Sequence, residues 1–188
     1  FMEQESWYDQ YDQNQDNLSD ANRLVNQTIL KPYLCPSDVN ITKLQRPASG
    51  PRRYNYAPGS YRAVSGVTRR RGGPHFDEGQ NNNQKDRGLL HTVYNKWSSE
   101  RMADVVDGTS NTIIVGEYHT RTHNSRRTFW SYTYTSYNQS SITMGSPTAF
   151  GVTDFDECNS NRNPAHGNDC KRAFAAFHPG GINFLRAD

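Results

Sequence analysis

The sequence predicts an α+β domain with an antiparallel β-sheet, short helices and long loops, and three observations support this class. Apolar residues make up only 33% of the 188 residues, while Tyr, Asn, Ser, Thr and Gly are abundant, a composition typical of strands and loops. Apolar and polar residues alternate in several short runs, as in half-buried strands. Turn-forming Gly, Pro and Asn residues separate these runs. The length fits one domain, residues 1–188.

Two short helices are predicted near the start of the chain. Residues 1–11 carry apolar side chains at helical spacing, and residues 21–29 form a second segment of the same kind. In this second helix Leu24 and Val25 should face the core. Pro32 ends it, because proline lacks the N–H group and disfavours helical geometry in the preceding residue.

The rest of the chain consists of short runs separated by turn residues, which is typical of strands and loops. The predicted strands are 54–57, 61–64, 112–115, 128–137 and 182–185. A Pro58-Gly59 turn should separate the first two strands. In 130–137 aromatic residues alternate with small hydroxyl residues, so one aromatic face should pack on the core. Residues 69–88 contain almost no apolar side chains and are predicted to form an exposed loop.

Two glycine-containing turns are predicted to aim strands into the core. Asp107-Gly108 is a strong turn signal, and the Ser110 and Asn111 side chains can bond to the neighbouring backbone. The second turn, His178-Pro179-Gly180-Gly181, precedes the last strand. No nucleophile or paired carboxylate stands at a recognisable spacing from His178, so we interpret it as a structural residue of the turn.

The three cysteines leave several pairings open. A Cys158–Cys170 disulfide is favoured, because it would restrict the Asn-, Gly- and Pro-rich segment between them. Two free thiols, or a zinc site that includes His166 and His178, are the alternatives. Cys35 is then either a buried thiol or the partner of a cysteine beyond this sequence.

Three motifs carry a resemblance to a known family. They are Cys35-Pro36-Ser37-Asp38, the segment Asp107 to Glu117, and the segment Phe177 to Phe184. In combination and order they resemble the large bacterial family called domain of unknown function 1559, whose members are prepilin-like. The resemblance implies a pilin-like head domain that follows a basic leader and a hydrophobic N-terminal helix. That helix is absent from this chain, so we interpret the sequence as truncated at both ends.

The resemblance also raises the question of a metal, since the similar major pseudopilins hold calcium in a loop. Asp107, Asn111 and Glu117 could supply the oxygen ligands that calcium prefers. The spacing matches no EF-hand, however, and Asp107 and Ser110 could simply cap the turn. Calcium is therefore the one cofactor considered, and no catalytic residues are predicted.

Charge and hydropathy exclude some classes of partner. Lys and Arg number 21 against 19 Asp and Glu, which gives no electrostatic case for nucleic acid. The basic runs 69–71 and 121–127 are instead predicted to contact acidic patches on neighbouring subunits. No window approaches eighteen consecutive apolar residues, so contact with a membrane would require the missing N-terminal helix.

These observations predict a structural protein rather than an enzyme. The expected role is a subunit of a pilin- or pseudopilin-like filament or envelope assembly, extracellular or in the cell envelope, with copies of itself as partners. The alternative is an envelope-anchored module that binds a solute or glycan through the aromatic strand and the long loops.

Overall fold

The computed structural model describes residues 4–51, 54–78, 83–93, 97–144, 154–160 and 167–188. Residues 1–3 of the first predicted helix lie outside these ranges, as does His166 of the alternative zinc site.

Two β-sheets form the framework of the described chain. The strands are β1 (Pro58–Gly59), β2 (Tyr61–Thr68), β3 (Ile113–Glu117), β4 (Thr128–Phe129), β5 (Gln139–Thr143) and β6 (Phe184–Arg186). The larger sheet has the order β5-β2-β3-β6, and the smaller one pairs β1 with β4. All pairs are antiparallel except β2 with β5. The α+β prediction is therefore confirmed, with one parallel pair added.

The helices are short. The α-helices are α1 (Glu5–Gln10), α2 (Arg23–Asn26), α3 (Phe155–Ser160) and α4 (Gly167–Cys170). The 3-10 helices are Asp20–Asn22, Lys31–Tyr33, Phe76–Glu78, Gln84–Asp86, Met102–Asp104, Thr109–Asn111, Asn124–Arg126 and Thr135–Tyr137. Within the ranges given above, no helix has the length and apolarity needed to cross a bilayer.

The predicted inward face of the second helix is only partly correct. Val25 is buried, but Leu24 is 64% exposed. The reason is that α2 has only four residues and turns the amide of Asn26 inward. The Asn26 Nδ2 group donates to the Tyr54 hydroxyl at 2.8 Å and to the Asn17 carbonyl at 2.6 Å, so polar contacts set the orientation of this helix.

The aromatic strand predicted for 128–137 is correct only for its first two residues, Thr128 and Phe129. Strand β4 ends at Phe129, and the chain then turns and enters a 3-10 helix. Folding back lets Tyr132 and Tyr137 pack beside Phe129 in a single cluster, whereas Tyr134 remains 40% exposed. The Tyr132 hydroxyl donates to the Ser49 carbonyl at 3.0 Å. Burial of the Tyr132 and Tyr137 rings in one cluster therefore determines the conformation of this segment, and the alternation of aromatic and hydroxyl residues does not.

Two other segments differ from prediction. The Pro58-Gly59 pair forms strand β1 of the two-stranded sheet, and proline is tolerated there because an edge strand has a partner on one side only. The predicted exposed loop 69–88, of which residues 79–82 lie outside the described ranges, is partly buried in its described part. Phe76 and Asp77 are 2% and 5% exposed, and the Asp77 carboxylate pairs with Arg172 at 2.7 Å.

The basic run 121–127 is not uniformly exposed, since Arg127 lies in the core, and two arginines outside the basic runs are buried as well. Arg62, Arg127 and Arg172 are each 1% exposed. The Arg62 guanidinium stacks on the Tyr118 ring at 3.6 Å and donates to Thr128 Oγ1 at 2.9 Å. Burial lowers the pKa of Arg62 to about 10. The chain has too few apolar residues to fill its core alone. Tyrosines and hydrogen-bonded arginines therefore fill the rest of it.

The predicted disulfide is confirmed. Cys158 of α3 and Cys170 of α4 are joined by an S–S bond, which ties the two helices together. Neither sulfur is therefore available as a thiolate ligand for zinc.

Candidate functional site

The candidate site lies where β3 leaves the larger sheet. Glu117 is the last residue of β3, and His119 follows two positions later, so the extended backbone can place both side chains on one face. Backbone bonds fix this segment on both sides. The Ala175 N–H donates to the Glu117 carbonyl at 2.9 Å, the His119 N–H donates to the Ala175 carbonyl at 3.0 Å, and the Tyr118 N–H donates to the Ser60 carbonyl at 2.9 Å.

A tight turn brings Cys35 to the same place. The Asp38 N–H donates to the Cys35 carbonyl at 3.0 Å, which closes the turn Cys35-Pro36-Ser37-Asp38. Proline suits the second position of such a turn because its φ is already fixed near the required value. The Ser60 N–H donates to the Tyr33 carbonyl at 2.8 Å and so holds the segment before Cys35 against β2.

The three side chains meet in a buried cluster of metal-ligating groups. One ligand atom each from Cys35, Glu117 and His119 lies within 4.8 Å of the other two. Their exposed fractions are 5%, 0% and 1%. In the part of the chain that the structure describes, this is the one group of three or more such residues that could hold a metal ion.

Hydrogen bonds keep the Glu117 carboxylate ionised. Its Oε2 accepts from the Asn183 backbone N–H at 2.7 Å and lies 3.0 Å from His178 Nε2. Its Oε1 has a longer contact, 3.3 Å, with Asn183 Nδ2. Burial by itself raises the pKa of Glu117, but these hydrogen bonds outweigh it and the pKa is lowered. The same bond to Glu117 raises the pKa of His178.

Asp38 and Tyr61 extend the polar centre. The Asp38 Oδ2 atom accepts from Ser60 Oγ at 2.8 Å and from Arg127 Nη2 at 3.2 Å. Burial raises the pKa of the Asp38 carboxyl, and the Arg127 charge opposes this rise. Burial, followed by the nearby Cys35, raises the pKa of Tyr61 to about 12.

Several buried polar atoms of this centre have no hydrogen-bond partner. Among the described residues they include both ring nitrogens of His119, Asp38 Oδ1 and Arg127 Nε. Burial lowers the pKa of His119, so its imidazole is neutral and offers a lone pair. The ring instead packs against Phe177, with centroids 5.5 Å apart. A neutral imidazole, a carboxylate and a thiol together can hold a soft or borderline metal cation.

The predicted calcium ligands do not come together. Asp107 and Asn111 lie on the exposed turn before β3, where Asn111 Nδ2 donates to the Asp107 carbonyl at 2.9 Å. Glu117 lies at the opposite end of β3, and the strand spans about 13 Å at the usual rise per residue. The three-residue calcium set is therefore corrected: its third member belongs to the buried cluster.

The predicted turns lie where the strands begin, but they do not lead directly into the core, because β3 is exposed at Ile113 and all three residues of β6 are exposed. Gly108 has φ 86°, a conformation that favours glycine, and the exposed Ser110 follows in the 3-10 helix that leads to β3. Gly180 and Gly181 also have positive φ, 100° and 116°, between His178 and β6. This second turn carries His178 back to Glu117.

A separate groove lies between α1 and the segment after β4. It has a volume of about 200 Å³, and Trp7, Tyr8, Tyr11, Tyr33 and Trp130 contribute its aromatic lining. The Tyr33 and Trp130 rings are stacked, with centroids 5.4 Å apart.

Sequence reasoning missed His119 and the environment of Cys35. The available signal was the Glu117-Tyr118-His119 spacing directly after an apolar run, because residues two apart at a strand end face the same side. The approach of Cys35 could not be read in the same way, since it depends on the packing of a distant loop.

Fold and site together define a small α+β domain with short helices, one disulfide and a buried polar centre of cysteine, glutamate and histidine. The model of the family described as protein of unknown function (DUF1559) matches residues 1–188, and the chain belongs to this family. No curated protein and no solved structure matches the chain.

Proposed function

We propose that the chain is the globular head of an exported, pilin- or pseudopilin-like structural subunit that assembles with copies of itself. The observation that carries this proposal is the open edge of the larger sheet. Strand β6 is the outermost strand on one side, and no strand in the described ranges pairs with its free edge.

The surface at this edge is apolar except at Arg186, the last residue of β6, which is also exposed. Leu185 and Phe184 of β6 are 56% and 36% exposed, and Ile113 of the neighbouring strand is 38% exposed. A strand edge with unpaired backbone groups and apolar side chains favours pairing with another chain. The opposite edge strand, β5, is mostly buried.

The occupant that we propose for this edge is a second copy of the chain. A formal net charge of only +2 gives little repulsion between copies. A contact that repeats between identical subunits without closing produces a filament. The disulfide agrees with export, because disulfides persist in oxidising compartments such as the cell envelope and the exterior.

The test is assembly of the exported full-length protein, followed by electron microscopy and sedimentation velocity. Leu185→Lys should abolish assembly, because a lysine at the edge opposes strand addition. Leu90→Lys is the matched control, since Leu90 is 39% exposed but lies outside the sheet. A monomeric unchanged protein, or assembly that survives Leu185→Lys, would contradict the proposal.

The second candidate is a binding module for a solute or glycan, which the aromatic groove favours. Stacked aromatic side chains offer flat apolar faces to sugar rings and other apolar ligands. A glycan array with thermal-shift measurement should then show saturable stabilisation that Trp7→Ala removes. Trp97→Ala is the control, because Trp97 stacks on Arg87 away from the groove. Binding unaffected by Trp7→Ala would remove this candidate.

A further inference from the structure

We propose that Cys35, Glu117 and His119 form a binding site for one zinc ion. The ion would take the Cys35 thiolate, one carboxylate oxygen of Glu117 and one ring nitrogen of His119. This inference does not depend on the proposed assembly function, since it concerns the buried centre and not the sheet edge.

The mixture of ligand atoms selects the kind of metal. Zinc is bound by sulfur, nitrogen and oxygen ligands together, in sets of three or four protein residues. Calcium and magnesium prefer sets composed of oxygen atoms, which a thiol and an imidazole do not supply.

The spacing of the ligand atoms is close to what zinc requires. Bond lengths of about 2.0–2.3 Å place tetrahedral ligand atoms about 3.2–3.8 Å apart. The three atoms already lie within 4.8 Å of one another. At its widest the cluster must therefore contract by about 1 Å, which small side-chain rotations can supply.

All three groups have coordination capacity to spare. Neither ring nitrogen of His119 has a hydrogen-bond partner, although the residue is 1% exposed. The Oε1 atom of Glu117 has a long contact, 3.3 Å, with the Asn183 amide. Cys35 is outside the disulfide and buried.

Neighbouring groups hold the ligands in place as supporting residues do in zinc sites. Ser37 Oγ lies 3.0 Å from Cys35 Sγ and can donate to a thiolate. The Asn183 N–H and His178 orient the Glu117 carboxylate through Oε2.

The charges of the filled site balance. The two positive charges of zinc are matched by the thiolate and the carboxylate, and the imidazole is neutral. On binding, the metal takes the place of the thiol proton, which passes to solvent. A site with no net charge is the least costly to bury.

The test uses the full chain, stripped with a chelator under argon and then titrated separately with Zn²⁺, Co²⁺, Cu⁺ and Ca²⁺. We expect one Zn²⁺ per chain by calorimetry. Co²⁺ should give the visible absorption of a tetrahedral site and a near-ultraviolet sulfur-to-cobalt charge-transfer band. Cys35→Ser should abolish that band, and Cys35→Ser or His119→Phe should weaken zinc binding by more than about 100-fold, since even supporting residues cost about 10–100-fold.

The matched control is His91→Gln. His91 is also buried and its Nε2 lies 3.2 Å from Glu100 Oε1, a histidine–carboxylate pair that belongs to no three-residue cluster in the described chain. This variant should bind zinc unchanged.

Several results would overturn the proposal. They are the absence of saturable zinc binding, binding of Cu⁺ without zinc, and zinc binding that persists unchanged in Cys35→Ser or His119→Phe. Where a variant fails to fold, X-ray absorption of the zinc-loaded unchanged protein decides. One sulfur in the first coordination shell supports the site, and a shell of nitrogen and oxygen alone refutes it.

Discussion

Replacing His119 with phenylalanine should stabilise the metal-free protein, which is unusual for a substitution at a fully buried residue. The imidazole is 1% exposed, and neither nitrogen has a hydrogen-bond partner. A buried polar group without a partner costs about 1–3 kcal/mol. Phenylalanine removes both unpaired atoms and keeps a ring against Phe177, whose centroid is 5.5 Å away.

The expected magnitude follows from two opposing contributions. Two unpaired nitrogens cost about 2–6 kcal/mol together, while fitting the slightly larger ring costs about 1–3 kcal/mol. We therefore expect His119→Phe to raise the free energy of unfolding of the stripped protein by about 1–3 kcal/mol. For a domain of this size, each kcal/mol raises Tm by about 2–4 °C.

The assay is urea and thermal denaturation of the unchanged protein and the variant, each with chelator and with zinc. Zinc at 100 times its Kd should stabilise the unchanged protein by about 2.7 kcal/mol and should leave His119→Phe unaffected. The same substitution at His91 is the control. Both ring nitrogens of that histidine have polar contacts, with the Thr92 carbonyl and with Glu100, so His91→Phe should destabilise the protein.

The reasoning would be refuted by a metal-free His119→Phe protein that is less stable than the unchanged one by more than about 2 kcal/mol, because such a loss means that the imidazole makes hydrogen bonds. If zinc stabilised the unchanged protein and His119→Phe equally, the metal would bind at a different site.

Three further substitutions test the framework by urea denaturation. Changing both Cys158 and Cys170 to serine should lower the free energy of unfolding by about 3 kcal/mol, the entropic value for a loop of similar length, and an unchanged midpoint would contradict this. Gly116→Ala should cost about 1–3 kcal/mol, because the new Cβ would lie 2.5 Å from an aromatic ring carbon; a neutral effect would mean that the rings move freely. Asp77→Asn should cost about 3–5 kcal/mol, since it removes the carboxylate partner of the buried Arg172 guanidinium, and a loss below 1 kcal/mol would show that the pair contributes little.

Sequence patterns predicted the fold class and several local features because these depend on neighbouring residues. The Asp107-Gly108 turn and the strand after it need only local backbone preferences and a run of β-branched residues. The strand prediction for 128–137 failed after Phe129, because the alternation of aromatic and hydroxyl residues fits both a strand and a folded turn. Packing of Tyr132 and Tyr137 with distant tyrosines decided between the two.

The candidate site was only partly predictable, because it depends on contacts between residues that are distant in the sequence. Glu117 was predicted as a calcium ligand with Asp107 and Asn111, which are close in sequence, but the structure does not bring these three side chains together. Its actual neighbours, Cys35 and His178, come from distant segments that are held in place by backbone bonds to β2 and by the glycine turn.

A buried polar centre has a physical consequence for a chain with so few apolar residues. Where the core contains polar groups, each must have a partner, and most do: the Asp77 and Arg172 side chains pair, and Arg62 stacks on Tyr118. His119 is an exception, at the one place in the described chain where a thiol and a carboxylate stand close enough to share a cation. A metal there would coordinate the imidazole, which otherwise has no partner. It would also cross-link the end of β3 to the distant loop of Cys35. Folding stability would then be coupled to metal supply, as it is in other sites that form only in the native state.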